Sequence, residues 1–160
     1  MNPTRNDLSK PVRKKIVALL NARLADAIDL TYQVKQAHWN VKGPNFIGLH
    51  KLFDEIHGEV EAVIDDIAER AVQLGGTALG TVRIAAKASS LKEYPHDISD
   101  GSAHVAAVSD ALAKFGKAVR AAIEESDKIG DKDAADLFTG ISRTVDKYLW
   151  FVESHEITKS

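Results

Sequence analysis

The chain has 160 residues, a formal net charge of −2, 44% hydrophobic and 28% charged residues, and no cysteine. That length suits one domain with a sizeable core. The missing cysteine excludes disulfides, thiolate chemistry and zinc fingers, leaving His and carboxylates as strong metal ligands, and the balanced charge gives no overall basicity that would point to nucleic acid.

The longest run without a charged residue, 71–82, is broken by Gly75, Gly76 and Gly80, and is too short to span a bilayer. The opening "MNPTRNDLSKPVRKK" lacks the apolar segment of a secretory signal. No repeat or composition shift marks a second domain, so 1–160 reads as one unit, with 1–9 and 155–160 as short tails. Met1 is the sole methionine; a chain without oxidisable sulfur inside suits work near peroxide, and chance accounts for it equally well.

Four long helical patterns follow. The first opens at Ser9-Lys10-Pro11, a cap residue followed by proline in the first turn. It carries Ile16, Leu20, Leu24, Ala27, Thr31 and Val34 at helical spacing and stops near Gly43-Pro44. The second runs from about Asn45 to Leu74, where Gly75-Gly76 supplies a C-cap signal. A long connection from Thr77 to Asp100 holds a possible short helix in "TVRIAAKA". The third pattern covers Gly101 to Ser126 and the fourth Lys132 to Ser154. Short links make two antiparallel hairpins, and the long middle link suits a crossover that brings the third helix parallel to the second. That connectivity predicts an all-α, ferritin-like four-helix bundle with a short extra helix in the crossover.

On the second helix, Leu52, Phe53, Ile56, Val60, Val63, Ile64, Ile67 and Leu74 share one face with Leu49. His50, Asp54, Asp65 and Glu69 form a separate stripe, about 100° to 200° around the wheel from Leu49. They point away from their own core, and Asp54 and Asp65 are separated by roughly 16 Å of helix rise. One helix cannot gather them. A second, antiparallel copy across a two-fold axis can, because the pairs His50/Glu69 and Asp54/Asp65 are both centred between Glu59 and Val60. Gly58, beside that point, costs about 1 kcal/mol in a helix relative to alanine, and close approach of two backbones is a reason to tolerate it. The spacing therefore predicts a dimer with two equivalent sites. The bland alternative is a solvated face, and His38, four residues past Val34, reads by itself as a core histidine.

The run "KQAHWNVKGPNFIGLHKLFDEIHGEVEAVIDDIAERAVQLGGTALGT" and the late "DKYLWFVES" resemble the Dps proteins, the mini-ferritins. His38, His50, Asp54, Asp65 and Glu69 reproduce every interval of that family's ligand set. The resemblance implies a shell of twelve four-helix subunits that oxidises Fe(II), often preferring hydrogen peroxide to dioxygen, and keeps ferric mineral inside. It assigns His38, His50 and Asp54 to one subunit and Asp65 and Glu69 to its two-fold partner. Two imidazoles and three carboxylates suit Fe(II), with zinc or manganese as substitutes. The ordinary Glu-x-x-His site is not available, since Glu93–His96 falls in a proline-containing loop.

Trp39 reads either as an electron donor beside the site or as a packing aromatic, and Trp150 as core. His57, Glu61 and Asp66 read as polar interface or surface. The segment 124–136, "EESDKIGDKDAAD", is acidic; Asp131 and Asp133 suit a helix N-terminus. The resemblance offers Asp127, Asp131 and Asp136 as the lining of a pore that draws Fe(II) inward. For DNA, Arg5 and Lys10 are the candidate contacts of a weak, salt-sensitive association, while Arg13, Lys14 and Lys15 read as a solvated helix face. Three functions compete: an iron-oxidising storage protein that protects DNA from oxidative damage, a nucleoid-coating protein, and a helical oligomer with structural zinc. Each is a cytoplasmic reading, nucleoid-associated if DNA is bound.

Overall fold

The computed structural model describes residues 1–156 and is helical throughout, with no strand among them. The order is α1 (Lys10–Asn40), α2 (Phe46–Gln73), α3 (Val82–Ala88), α4 (Gly101–Ile129) and α5 (Lys132–Glu153). Helix α1 packs on α2, α4 and the short α3; α4 packs on α5, and α5 on α2. This is the expected four-helix bundle with a helix-bearing crossover.

Each apolar stripe meets the others in a single core. Ile16, Leu20, Leu24, Leu30 and Val34 from α1 pack with Leu49, Phe53, Ile56 and Ile67 from α2, Leu112 and Phe115 from α4, and Phe138 and Tyr148 from α5. The anticipated inner face of α2 is buried, apart from Leu52 and Ile64 at its edges, which are half-buried.

The helix ends have specific local causes. Gly75 takes φ +80 after α2, and a Cβ there would lie 2.6 Å from the Asn2 carbonyl. A Cβ on Gly76 would meet Val17 at 2.5 Å. The glycine pair thus allows both the left-handed turn and a close approach of α1 and the N-terminal segment. Asp131 caps α5 by accepting from the Ala134 amide. Ser9 precedes α1 but makes no side-chain cap bond.

In the N-terminal segment 1–9, the Asn2 amide donates to the Gly75 carbonyl (2.6 Å) and Leu8 packs against the core. Two expectations need correction. Arg13 is buried, not solvated. Its guanidinium donates to the Leu74 carbonyl (2.9 Å) and the Leu8 carbonyl (3.0 Å), satisfying groups that the end of α2 would otherwise leave open. Trp150, expected in the core, is 64% exposed; the inner face of α5 is formed by Ala134, Phe138, Ile141, Val145, Tyr148 and Val152, and Trp150 does not lie on it. The last part of the expected C-terminal tail, 157–160, lies outside the described residues.

The crossover is held by a polar ladder on α1. Asn21 bonds the Thr77 carbonyl and the Leu79 amide, Asp26 accepts from the Ser90 amide, Asp29 from the Ser89 hydroxyl, and Gln33 donates to the Lys92 carbonyl. Asp26 is fully buried and paired with Arg23 at 2.7 Å. Backbone pairing of Lys42 with Ser99 and Asp100 then ties the end of the crossover to the α1–α2 link.

Candidate metal centre

His38 ends α1 and His50 begins α2, so the five-residue link between the helices brings them face to face. Their rings stack with centroids 3.8 Å apart and an interplanar angle of 20°. The bonding is reciprocal: His38 Nδ1 donates to the His50 carbonyl (2.7 Å), and His50 Nδ1 donates to the His38 carbonyl (2.9 Å). With each Nδ1 carrying the proton, each Nε2 keeps its lone pair. A carbonyl that fixes the tautomer in this way is a common support for a metal-binding histidine.

Asp54, one turn beyond His50, lies 3.9 Å from His38 Nδ1 and has a side chain 53% exposed. Its carboxylate is ion-paired with Lys35. The Lys35 hydrogen bond is the largest influence on Asp54 and holds its carboxyl below the usual carboxylate range; the remaining burial works the other way, and the charges of Lys35, His38 and His57 add to the lowering. Lys35 escaped the sequence reasoning, although its position three residues before His38 places it on the same helical face.

Asp65 and Glu69 are exposed farther along α2. Neither has an ion-pair partner among the described residues. Within one chain, no three His, Asp or Glu side chains among the described residues are gathered closely enough to hold a metal ion. The structure stacks His38 on His50 with Asp54 beside His38, short of a metal-holding cluster, and leaves Asp65 and Glu69 on the outer face of α2. Gly58 lies between the two groups, and a Cβ there would meet nothing within 4 Å.

The pattern of helices agrees with the comparisons. A ferritin-like domain family model matches residues 17–156. The DNA protection during starvation protein of Agrobacterium fabrum is 44% identical over 157 residues, covering 98% of this chain and 97% of that protein. The chain belongs to the Dps family of ferritin-like proteins. Among solved Dps structures, that of Mycobacterium smegmatis superposes with a TM-score of 0.94 at 29% identity, covering all of this chain and 91% of that one. DpsC from Streptomyces coelicolor gives 0.92 at 28% identity, covering 100% and 92%.

The other residues singled out in this Dps chain are scattered. Trp39, next to His38, is exposed. Its indole is not core packing within one subunit. His57 bonds the Thr31 hydroxyl at 3.0 Å. His96 pairs with Glu93 on the exposed crossover, far from any bundle site. Of the suggested pore residues, Asp127 is exposed and paired with Lys132, and Asp136 is exposed. Asp131 differs, being only 2% exposed and held by Arg70 through contacts of 2.7 and 3.0 Å. Its carboxylate is committed to the α5 cap and this ion pair, so it does not present charge to a pore in the described chain. Arg5 and Lys10 are both exposed. No helix among the described residues is long and apolar enough to cross a membrane.

Proposed function

We propose that this Dps chain oxidises ferrous iron with hydrogen peroxide at sites shared between two-fold-related subunits and stores the ferric product inside a closed shell of twelve. Iron is the substrate and cargo. His38, His50 and Asp54 are the ligands from one subunit, and Asp65 and Glu69 complete the site from its partner. Two ferrous ions supply the two electrons that reduce one peroxide to water, so no single electron is left to form hydroxyl radical. Removing iron and peroxide together is how the protein protects DNA in a cytoplasmic setting, in keeping with the name of its Agrobacterium relative.

The observation that carries this reading is the reciprocal locking of His38 and His50. Both imidazoles are stacked and fixed through Nδ1, leaving both Nε2 atoms free to bind a metal, with the Asp54 carboxylate 3.9 Å from the His38 ring. A merely solvated histidine has no need of that arrangement. The incompleteness of the site in one chain supports sharing, as does the open space at Gly58. Exposed apolar side chains at Ile47, Val72, Leu79 and Val82, on α2 and the crossover, supply surface that association would bury. Mixed N/O donors bind ferrous iron, and the carboxylate majority suits the harder ferric product.

The test is anaerobic loading of purified protein with Fe(II), followed by stoichiometric peroxide and absorbance of the ferric-oxo band. Wild type is expected to oxidise iron rapidly, whereas His50→Ala and Asp65→Ala proteins are not. Mixing the two mutants after subunit exchange restores part of the activity, because some interfaces then carry one intact site. Oxidation no faster than in a protein-free control overturns the reading and favours a structural metal site. Activity retained in Asp65→Ala removes the shared site.

A further inference from the structure

A second pair of oxidisable and basic groups lies behind the C-terminal end of α1. Tyr94, in the crossover, is 6% exposed, and His104, near the start of α4, is 1% exposed. The phenol oxygen is 2.7 Å from His104 Nδ1, and the two rings stack with centroids 6.0 Å apart. Burial pushes the Tyr94 phenol above its ordinary range and lowers the basicity of His104, so both groups are neutral around pH 7. The Tyr94 hydroxyl has no other hydrogen-bond partner among the described residues, so it donates to His104 Nδ1, and the proton of the neutral imidazole sits on Nε2, which has no partner among them.

We propose that Tyr94 and His104 form a redox-active pair in which the phenol loses one electron while its proton moves to His104 Nδ1. The step balances. The O–H bond of Tyr94 breaks, the electron goes to a one-electron oxidant, and the proton forms an N–H bond on His104. The products are a neutral phenoxyl radical and an imidazolium. A small soluble reductant reverses the step by returning an electron as the proton moves back. The preformed 2.7 Å hydrogen bond matters because the proton need not leave the interior, and neither a phenol radical cation nor a phenolate is formed.

The location fits that use. Lys42, in the link after α1, pairs through its backbone with Ser99 and Asp100, and the His104 amide donates to the Asp100 carbonyl (3.1 Å), so the pair lies close to the α1–α2 link that carries the proposed iron site. A cavity of about 620 Å³ between α1, the crossover and α4 is lined by Tyr94 together with Gln33, Lys92, Asp110 and Lys114, giving a small reductant a route inward. The oxidant in the working protein is hydroxyl radical, formed with hydroxide when a single ferrous ion reduces one peroxide; the electron from Tyr94 reduces the radical to hydroxide. In that respect the pair's role rests on the function proposed above, but its chemistry can be tested without iron.

Metal-free protein is mixed with a photo-oxidised ruthenium polypyridyl complex and frozen for electron paramagnetic resonance. Wild type is expected to give a neutral tyrosyl signal that Tyr94→Phe loses. His104→Gln is expected to retain the tyrosine but lower the yield of radical and abolish its solvent isotope effect. A signal that persists in Tyr94→Phe, or that resides on Trp39 or Tyr32, overturns the pair. The same variants are then given Fe(II) and excess peroxide, with circular dichroism confirming their fold. Loss of the iron-driven signal with the photochemical signal intact overturns the iron link alone. More oxidised tryptophan in Tyr94→Phe than in wild type supports a protective role.

Discussion

Lys35 is the nearest cation to Asp54 and occupies a carboxylate that iron is proposed to use. Any incoming cation must separate that pair. Because Asp54 is half exposed, solvent screens the interaction. Lys35→Met is therefore expected to tighten binding of Co(II), a ferrous surrogate, by at most roughly fivefold. Calorimetric titration checks it, and weaker binding would mean that Lys35 positions Asp54. His104 yields a prediction of a different sign. Its folded-state pKa is lowered by burial, so the unfolded chain takes up the proton first as the pH falls. The resulting stability is full above the ordinary histidine value of 6.5 and declines as pH falls toward the folded value. The wild-type Tm is expected to fall between about pH 7 and about pH 5, and His104→Gln to show a shallower slope over that window. At this scale the sequence disclosed the identity and spacing of the five candidate ligands. It did not disclose Lys35 or the Tyr94–His104 pair, whose partners are separated by a turn or by a loop that periodicity does not describe.

The ends of the helices show how one residue can serve an element. Asp131 caps α5 and pairs with Arg70 near the C-terminal end of α2, linking two helices at the same end of the bundle. Truncation removes the cap and leaves Arg70, already largely buried, with only its longer contact to the exposed Asp133 (3.6 Å). Asp131→Ala is expected to cost about 3 kcal/mol. Asp133→Ala, at an exposed position two residues later, is expected to stay within about 0.5 kcal/mol. Thermal unfolding at matched protein concentration distinguishes them. A small effect of Asp131→Ala would show that the ion pair contributes little beyond its desolvation cost. The acidic run 124–136 was legible as a helix start, but not as this contact, because Arg70 lies in a different hairpin. Helix boundaries were more readable. Gly75-Gly76 marks a stop and Asp131 a helix start in the sequence, and α2 ends and α5 begins beside them, whereas α4 runs past the expected Ser126 to Ile129, where Gly130 takes φ +98. The buried face of Arg13 and the polar ladder of Asn21, Asp26, Asp29 and Gln33 were not readable, since charged residues on a long helix ordinarily face water.

For the whole molecule, the central prediction concerns Gly58. In the single chain nothing lies near a Cβ at that position, so a side chain should be tolerated, and loss of a mid-helix glycine favours α2 by up to about 1 kcal/mol. If a second α2 approaches there, the same side chain blocks it. Gly58→Phe is expected to keep its helical circular dichroism while sedimenting as smaller species and losing peroxide-driven iron oxidation. A fully assembled, active Gly58→Phe protein would move the symmetry axis away from this point.

The sequence by itself determined the helical class, the long crossover, the inner face of α2 and the outward stripe of His50, Asp54, Asp65 and Glu69, because these follow from the 3.6-residue period and from glycine and cap chemistry along the chain. Only the tertiary structure decided that His38 and His50 stack and lock each other through backbone carbonyls, that Lys35 holds Asp54, that Asp131 is buried against Arg70 and that Trp150 faces outward. Each of those depends on how separate helices meet, and the rotation and register of that meeting are set by packing across the whole core.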